Sequence, residues 1–114
     1  MSQAFTVRVE QFSRTVVITP SGELDLGTEP VLRAVVQSLE DAYDVLVLDL
    51  SELEFVDSTG LNFAIREHLR SSLDGFNLVL VQGSEEVQRV FSLAGLDGFL
   101  PFAPDLSSAL ASRS

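Results

Sequence analysis

Residues 48–61 read LDLSELEFVDSTGL and contain a strand end, a connection and a helix start in succession. The strand is the apolar run VLVL at 45–48, and an uninterrupted run of this kind is typical of a strand that is covered on both faces. An acidic connection follows at 51–57, and we expect Ser58 to cap a helix by accepting hydrogen bonds from amides of its first turn. A covered strand that leads into a helix predicts a parallel α/β sheet.

Similar patterns flank this stretch on both sides. Downstream, the run LVLV at 78–81 is followed by GSEE at 83–86, which predicts another strand and a helix capped by the serine. Upstream, Thr28-Glu29-Pro30 predicts a helix start with the threonine as its cap. Alternating apolar residues over 5–10 and the run TVVIT at 15–19 predict an antiparallel hairpin.

The predicted fold is α/β, with a single domain over residues 1–114 and a core at about 5–110. It has a mixed sheet of four to five strands, in which an N-terminal antiparallel hairpin precedes parallel β-α units, and about four helices. Helical spacing predicts that the helix after Ser58 buries one apolar face. That face consists of Leu61, Ala64, Ile65 and Leu69.

The composition excludes several kinds of chemistry. The 114 residues include 17 acidic and 7 basic residues, which gives a net charge of −10, and there is no Cys. Every basic residue is Arg, and His68 is the single His. Without Lys or Cys the chain has no P-loop lysine, Schiff base, thiol nucleophile or cysteine zinc site. The negative charge opposes binding to nucleic acid and to anionic membranes, and we expect no cofactor and no metal site.

The N-terminal sequence MSQAFTVRVE lacks the basic segment and apolar run of a signal peptide. The longest apolar runs are far shorter than the roughly 20 residues of a membrane-spanning helix. We therefore expect a cytoplasmic protein.

Gly60 is unusual within the predicted helix, because glycine costs about 1 kcal/mol relative to alanine in a helix interior. Two interpretations are open: another molecule approaches the backbone closely here, or the glycine accommodates packing. In the same way, Ser58 alone could be no more than a helix cap.

Three segments together resemble the STAS domain family, and specifically bacterial anti-sigma-factor antagonists. The first is Gly22-Glu23-Leu24-Asp25, and the second is the central strand, loop and DSTGL motif over 47–61. The third is VQRVF at 87–91 followed by AGL at 94–96. The resemblance covers about residues 5–110.

The resemblance implies that Ser58 is phosphorylated by an anti-sigma factor that is also a serine kinase. The unphosphorylated form then binds this partner and releases the sigma factor, and a metal-dependent serine phosphatase restores it. Thr59 is the poorer acceptor because it is β-branched and lies one residue further into the helix. The expected partner-binding residues are Asp25, Asp57, Ser58, Thr59, Gly60, Asn62, Phe63 and Arg66.

Two of these residues carry particular expectations. Asp25 lies in a glycine-flanked turn, where it either forms an Asx turn or lies on the rim near Ser58 and contacts the kinase. Phe63 shares a helical face with polar residues, which predicts an exposed aromatic anchor for the partner. The alternative is that Phe63 packs beneath a neighbouring loop.

Two other functions are weighed against this one. A STAS module without a switch would serve as a transporter subunit or a scaffold in a stress-sensing assembly. A hydrolase built on Ser58 is disfavoured, because His68 is about 15 Å further along the same helix. We expect no enzymatic activity, and the oligomeric state, monomer or weak dimer, stays open. The acidic residues Glu40, Asp41 and Asp44 are interpreted as a solvated helix end rather than a metal site.

Overall fold

The computed structural model describes residues 4–39 and 43–111. Within these residues ten elements follow one another: β1 (Thr6–Phe12), β2 (Thr15–Leu24), α1 (Glu29–Ser38), β3 (Val45–Asp49), β4 (Leu53–Val56), α2 (Ser58–Asp74), β5 (Asn77–Val81), α3 (Glu85–Leu93), β6 (Phe102–Ala103) and α4 (Leu106–Ala111). The predicted α/β class with four helices is confirmed. The described residues form six strands, rather than the four to five expected.

The strand order is β1-β2-β3-β5-β6, and β4 pairs separately with β2. Strands β1 and β2 form the predicted antiparallel hairpin, whereas the other pairs are parallel. Because successive parallel strands need a crossover, the intervening helices pack on the faces of the sheet. The carboxyl ends of the parallel strands consequently share one edge of the molecule.

Strand β4 was missed by the sequence analysis, which predicted a connection over 51–57. Only Leu53 and Val56 of its four residues are buried, so the strand has no period-two alternation. It forms because β2 continues beyond the region that pairs with β3. The last part of β2, Gly22–Leu24, then pairs with β4.

Both faces of the sheet are covered, as the apolar runs predict. Helices α1, α2 and α3 cover one face with a core that includes Leu32, Phe63 and Phe91. Helix α4 packs Ala109 against the other face, where Val47 is fully buried. The valine-rich strands therefore contribute side chains to two separate cores.

The predicted buried face of α2 is wrong in part. The buried residues are Gly60, Phe63, Ala64, Glu67 and Ser71. Leu61 and Ile65 are only partly buried, and the side chain of Leu69 is 54% exposed.

Phe63 is 2% exposed, so its predicted role as an exposed anchor is wrong. Its ring belongs to the main core, together with Leu32 and Val36 of α1. Helix α2 carries apolar residues on two adjacent faces, and the position of α1 determines which of them is covered. The alternative interpretation, in which Phe63 packs inside the protein, is the better one.

Candidate functional site: the N-terminus of helix α2

Strands β2 and β4 end side by side, directly before the DSTGL motif. Leu24 lies opposite Val56 in the parallel register. The Asp57 amide donates a hydrogen bond of 3.3 Å to the Leu24 carbonyl. Asp25 and Asp57, the next residue on each strand, are therefore neighbours at the carboxyl edge, where α/β sheets commonly bind their ligands.

Asp57, rather than Ser58, caps helix α2. Its Oδ1 atom accepts hydrogen bonds from the amides of Thr59 at 2.9 Å and Gly60 at 3.4 Å. Asp57 has an extended backbone, whereas Ser58 is already the first residue of the helix. The capping role predicted for Ser58 is wrong, because a cap needs a non-helical backbone that turns its side chain back over the first amides.

The consequence for Ser58 is an accessible hydroxyl group. The residue is exposed, and within residues 4–39 and 43–111 its Oγ atom makes no hydrogen bond. Thr59 is half-buried, which supports the preference for Ser58 as an acceptor. Modification of Ser58 therefore needs no rupture of an existing contact.

Asp25 forms the Asx turn that was one of its two interpretations. Its Oδ1 atom accepts hydrogen bonds from the amides of Gly27 at 3.0 Å and Thr28 at 3.1 Å. The Thr28 hydroxyl donates to the Glu23 carbonyl at 2.7 Å and does not cap α1, contrary to expectation. Asp25 and Asp57 thus resemble each other: one carboxylate oxygen is bonded to the local backbone. The second oxygen of each has no partner within the described chain.

Gly60 accommodates packing, which was the second of its two interpretations. A Cβ atom at this position would overlap the Cγ2 atom of Val56 and lie 3.0 Å from Cδ2 of Leu24. The helix therefore presses directly onto the ends of β2 and β4. Because Gly60 is buried, its predicted contact with a partner is not supported by its position.

The remaining predicted residues separate along α2. Asn62 is exposed one turn after Ser58. Arg66 lies two turns along, where its Nη2 atom is 3.2 Å from Oε2 of Glu29 in α1. The structure thus brings Asp25, Asp57, Ser58 and Thr59 together, with Asn62 nearby, whereas Arg66 joins two helices.

Carboxylates without a counterion surround this end of the molecule. Glu23, Asp25, Glu54, Asp57 and Glu86 make no ion pair with any described residue. Glu52, by contrast, is 3.0 Å from Arg8. Negative charge is thus uncompensated around Ser58, which favours a basic partner surface.

Sequence reasoning missed two exposed apolar side chains on the elements that border Ser58. Leu26 is 76% exposed in the turn after β2, and Phe55 is 46% exposed on β4. Phe55 also borders a groove of about 90 Å³ between β4 and α3. This β4–α3 groove is lined by Glu54, Phe55, Val56, Glu86, Val87 and Val90. A signal was present, since Phe55 lies only two residues before the motif, but a segment interpreted as a loop does not predict where its side chain points.

Neither a metal site nor a membrane span emerges from the part of the chain that is described. Within residues 4–39 and 43–111, no three His, Asp or Glu side chains are placed to hold a metal ion. In the predicted acidic cluster, Asp44 pairs with Arg14 at 2.8 Å, whereas Glu40 and Asp41 lie outside the described residues. Among the described helices, none has the length and apolar character needed to cross a bilayer.

These features define a class of protein: a small α/β binding domain with an accessible serine at a capped helix N-terminus. The model of the STAS domain family matches residues 6–109, so the chain belongs to that family. An anti-sigma-B factor antagonist of Bacillus subtilis (strain 168) is 30% identical over 90 residues, which are 79% of this chain and 83% of that protein.

Solved structures show the same relationship. The crystal structure of an anti-sigma factor antagonist from Mycobacterium paratuberculosis is 30% identical, with a TM-score of 0.86 over 98% of this chain and 97% of that one. The anti-sigma factor antagonist SpoIIAA in its unphosphorylated form is 25% identical, with a TM-score of 0.76 over 92% and 93% of the two chains. The resemblance inferred from the three sequence segments is confirmed.

Proposed function

We propose that this STAS domain is an anti-sigma-factor antagonist that is switched by phosphorylation of Ser58. The unphosphorylated protein binds an anti-sigma factor kinase and thereby releases the sigma factor. A metal-dependent serine phosphatase removes the phosphate and restores binding. The observation that carries this proposal is the exposed, unbonded Ser58 hydroxyl beside two carboxylates that the backbone holds in place.

The phosphoryl transfer requires little from this chain beyond presentation of the serine. The Ser58 oxygen attacks the γ-phosphorus of ATP, ADP leaves, and the hydroxyl proton passes to a base on the kinase. Ser58 lies outside the core and at the tip of a helix that rests on β2 and β4. It can therefore enter a kinase active site while the fold stays intact.

Phosphorylation should act locally. A phosphate adds about 1.5 to 2 negative charges, and a helix N-terminus tolerates it. The amides of Thr59 and Gly60 already donate to Asp57, so they are not free to bind a phosphate that turns back over the helix. It projects outward, where its bulk and its repulsion of the nucleotide phosphates in the kinase oppose binding.

Partner contacts follow from what is accessible at this end. We assign them to Asp25, Asp57, Ser58, Thr59 and Asn62. The second carboxylate oxygens of Asp25 and Asp57 have no partner within the described chain and are available to accept hydrogen bonds from the partner. Gly60 and Phe63 are buried and Arg66 is bonded to Glu29, so these three are left out of the interface.

The protein acts by binding, and its partners belong to the transcription machinery of the cytoplasm. His68 lies ten residues from Ser58 on the same helix and packs edge-on against Phe99, with a centroid distance of 5.1 Å. It therefore supplies no base to Ser58. A hydrolase has no support from this arrangement.

The test is a kinase assay with purified components. Each anti-sigma factor of the source organism is incubated with this protein and ATP, and the products are analysed by intact-mass spectrometry and phosphosite mapping. We expect one phosphate on Ser58, none in Ser58→Ala, and normal modification of the control Ser51→Ala. Binding of the same kinase should be lost after phosphorylation.

The alternative, a STAS interaction module without a switch, gives a different result in this assay. It would bind a partner but acquire no phosphate on Ser58. Phosphate on Thr59 instead of Ser58 would contradict the assignment of the acceptor. Failure of every anti-sigma factor to bind would overturn the antagonist function itself.

A further inference from the structure

The β4–α3 groove lies outside the motif that the proposed function uses. Its floor is formed by Val56 and Val87, which are buried, and its walls include the half-exposed ring of Phe55. Glu54 and Glu86 border it from opposite elements, β4 and α3. Water can hydrate the two carboxylates of such a surface, but it makes no favourable contact with the apolar walls between them.

The size of the groove indicates what it holds. Its volume of about 90 Å³ is well below the roughly 300 to 1,000 Å³ of small-molecule pockets. A single side chain of a partner protein matches this scale better than a metabolite does.

The chemistry of the lining selects the kind of side chain. Arg and Lys combine an apolar stem with a charged end, and they commonly bury the stem along apolar surface. Here the stem would lie against Phe55 and Val90, and the cation would lie between Glu54 and Glu86. Neither carboxylate has an ion pair with a described residue, so both are available to a cation from outside.

The groove is continuous with the Ser58 site through the backbone. Val56, in its floor, is followed directly by Asp57 and Ser58. A partner that covers Ser58 and extends along β4 towards α3 would therefore reach the groove.

We propose that the β4–α3 groove binds an arginine or lysine side chain of the partner that docks on Ser58, and that Phe55 is its apolar anchor. The identity of the partner as an anti-sigma factor rests on the proposed function. The two parts of the surface then have separate tasks. The groove supplies affinity through charge and apolar contact, whereas Ser58 controls whether the partner stays bound.

The first test measures affinity for the kinase that phosphorylates Ser58, by titration calorimetry. We expect Phe55→Ala to weaken binding at least about 20-fold, as for a central aromatic anchor. Glu54→Gln and Glu86→Gln should each weaken it about 5- to 10-fold, and each should reduce the dependence of Kd on salt. Phe55→Ala should leave that salt dependence unchanged.

Matched variants control for folding and for net charge. Phe12→Ala removes an equally exposed aromatic ring from the β1–β2 hairpin, and Asp97→Asn removes one exposed negative charge from the loop after α3. Both should bind like the wild type, and thermal melts should show that all variants fold. The inference is overturned if Phe55→Ala and the two Gln variants bind as tightly as these controls.

A second measurement tests the groove without any partner. N-acetyl-arginine amide is titrated into the labelled protein and followed by two-dimensional NMR, with N-acetyl-norleucine amide as the uncharged control. We expect arginine-specific shifts at Glu54, Phe55, Glu86 and Val90 that disappear in the Glu54→Gln/Glu86→Gln variant. If these shifts are observed but no anti-sigma factor binds the protein in the kinase assay, the groove is supported and the proposed function is rejected. Shifts that are equal for both probes would overturn the groove.

Discussion

The two halves of helix α2 differ in whether the charged side chains around them form ion pairs. Around its N-terminus, carboxylates such as Asp25, Glu54 and Asp57 have no counterion among the described residues. Along its middle, and on the facing helix α1, every arginine is paired with an acid. Arg33 and Arg66 both reach Oε2 of Glu29, at 3.3 and 3.2 Å, although the Glu29 side chain is only 6% exposed.

Arg70 is the third paired arginine, and it lies in the second half of α2, which we call the paired half. It donates to Oε1 of Glu67 at 2.8 Å and to the Tyr43 hydroxyl at 3.1 Å, and it lies over the ring of Phe76. Burial acts to lower the pKa of Arg70, but the hydrogen bonds to Glu67 and Tyr43 outweigh it, so the pKa lies above its ordinary value. The guanidinium is permanently charged and already bonded.

The comparison distinguishes a structural charge network from a binding surface. The cavity between α1 and α2 has a volume of about 300 Å³ and is lined by three arginines, yet each of them is paired with an acid. The smaller β4–α3 groove has unpaired carboxylates instead. Uncompensated charge, rather than volume, is therefore the criterion by which we assign the proposed partner-binding surface.

The largest expected effect concerns the packing beneath Ser58. Gly60→Ala forces a methyl group into Val56 and should reduce the free energy of unfolding by about 3 kcal/mol. Gly98→Ala is the control, because a Cβ atom there meets nothing within 4 Å. Urea denaturation of both variants checks this. A Gly60→Ala protein as stable as the control would show that the helix end is loosely packed.

The paired half should matter for stability and not for binding. The double variant Arg33→Met/Arg66→Met keeps the apolar stems but leaves the Glu29 carboxylate buried without a counterion. We expect a loss of about 2 kcal/mol in the free energy of unfolding, discounted from fully buried pairs because both arginines are half-exposed. Kinase binding, measured well below the unfolding temperature, should be unchanged. Weakened binding would return Arg66 to the interface.

Asp57 has a structural role as the cap of α2 and a proposed role in partner binding, and two substitutions separate these roles. Asp57→Ala removes the cap of α2 and should reduce the free energy of unfolding by about 1 kcal/mol. Asp57→Asn keeps the cap, because asparagine caps about as well as aspartate, but it removes the negative charge that we assign to the partner contact. We expect Asn to preserve stability and to weaken kinase binding. Equal binding by Asn and the wild type would assign Asp57 to capping alone.

A second capping carboxylate, Asp105 at the start of α4, provides a pH test of this type of cap. Hydrogen bonds from the Ser108 amide and hydroxyl lower the pKa of Asp105 from its ordinary 3.8. A lowered pKa means that this contribution to stability is fully present above pH 3.8 and is lost as the pH falls through the lower, folded-state pKa. The Ser108 amide signal in an NMR titration should therefore have its midpoint below 3.8. A midpoint at or above 3.8 would contradict the cap.

The smallest effect should come from Ser58, the proposed switch residue. Ser58→Ala removes an exposed hydroxyl that has no hydrogen bond within the described chain, so we expect the free energy of unfolding to change by less than about 0.5 kcal/mol. Calorimetric unfolding measures this directly. A larger loss would mean that the hydroxyl helps to cap α2, as the sequence alone suggests.

Much of the fold could be predicted because its signals are local. Ser84 caps α3 as expected, with a bond from the amide of Val87, and Asp105 caps α4 in the same way, with a bond from the amide of Ser108. Gly75 and Gly95 have φ values of 79° and 75°, which suits the glycine stops of α2 and α3. Each of these signals depends only on residues within a few positions of one another.

The failures lie where several local solutions compete. Asp57 and Ser58 are both good caps, and the backbone conformation at the end of β4 determines which of them is used. Before α1, Asp25 likewise accepts a hydrogen bond from the Thr28 amide, whereas the Thr28 side chain caps no amide of the helix. Strand β4 has no alternation to detect, and it exists because β2 is long enough to reach it.

Several properties follow from the amino-acid sequence alone: the order of the elements, the valine-rich strands with two covered faces, the net charge of −10 and the position of the serine motif. Tertiary packing determines the rest: which face of α2 is buried, which acids stay unpaired and which groove opens beside Phe55. The reason is that these properties depend on contacts between distant residues, such as Arg66 with Glu29, 37 positions apart. Helical periodicity identifies an amphipathic helix, but the neighbour that packs against it determines which of two apolar faces becomes the core.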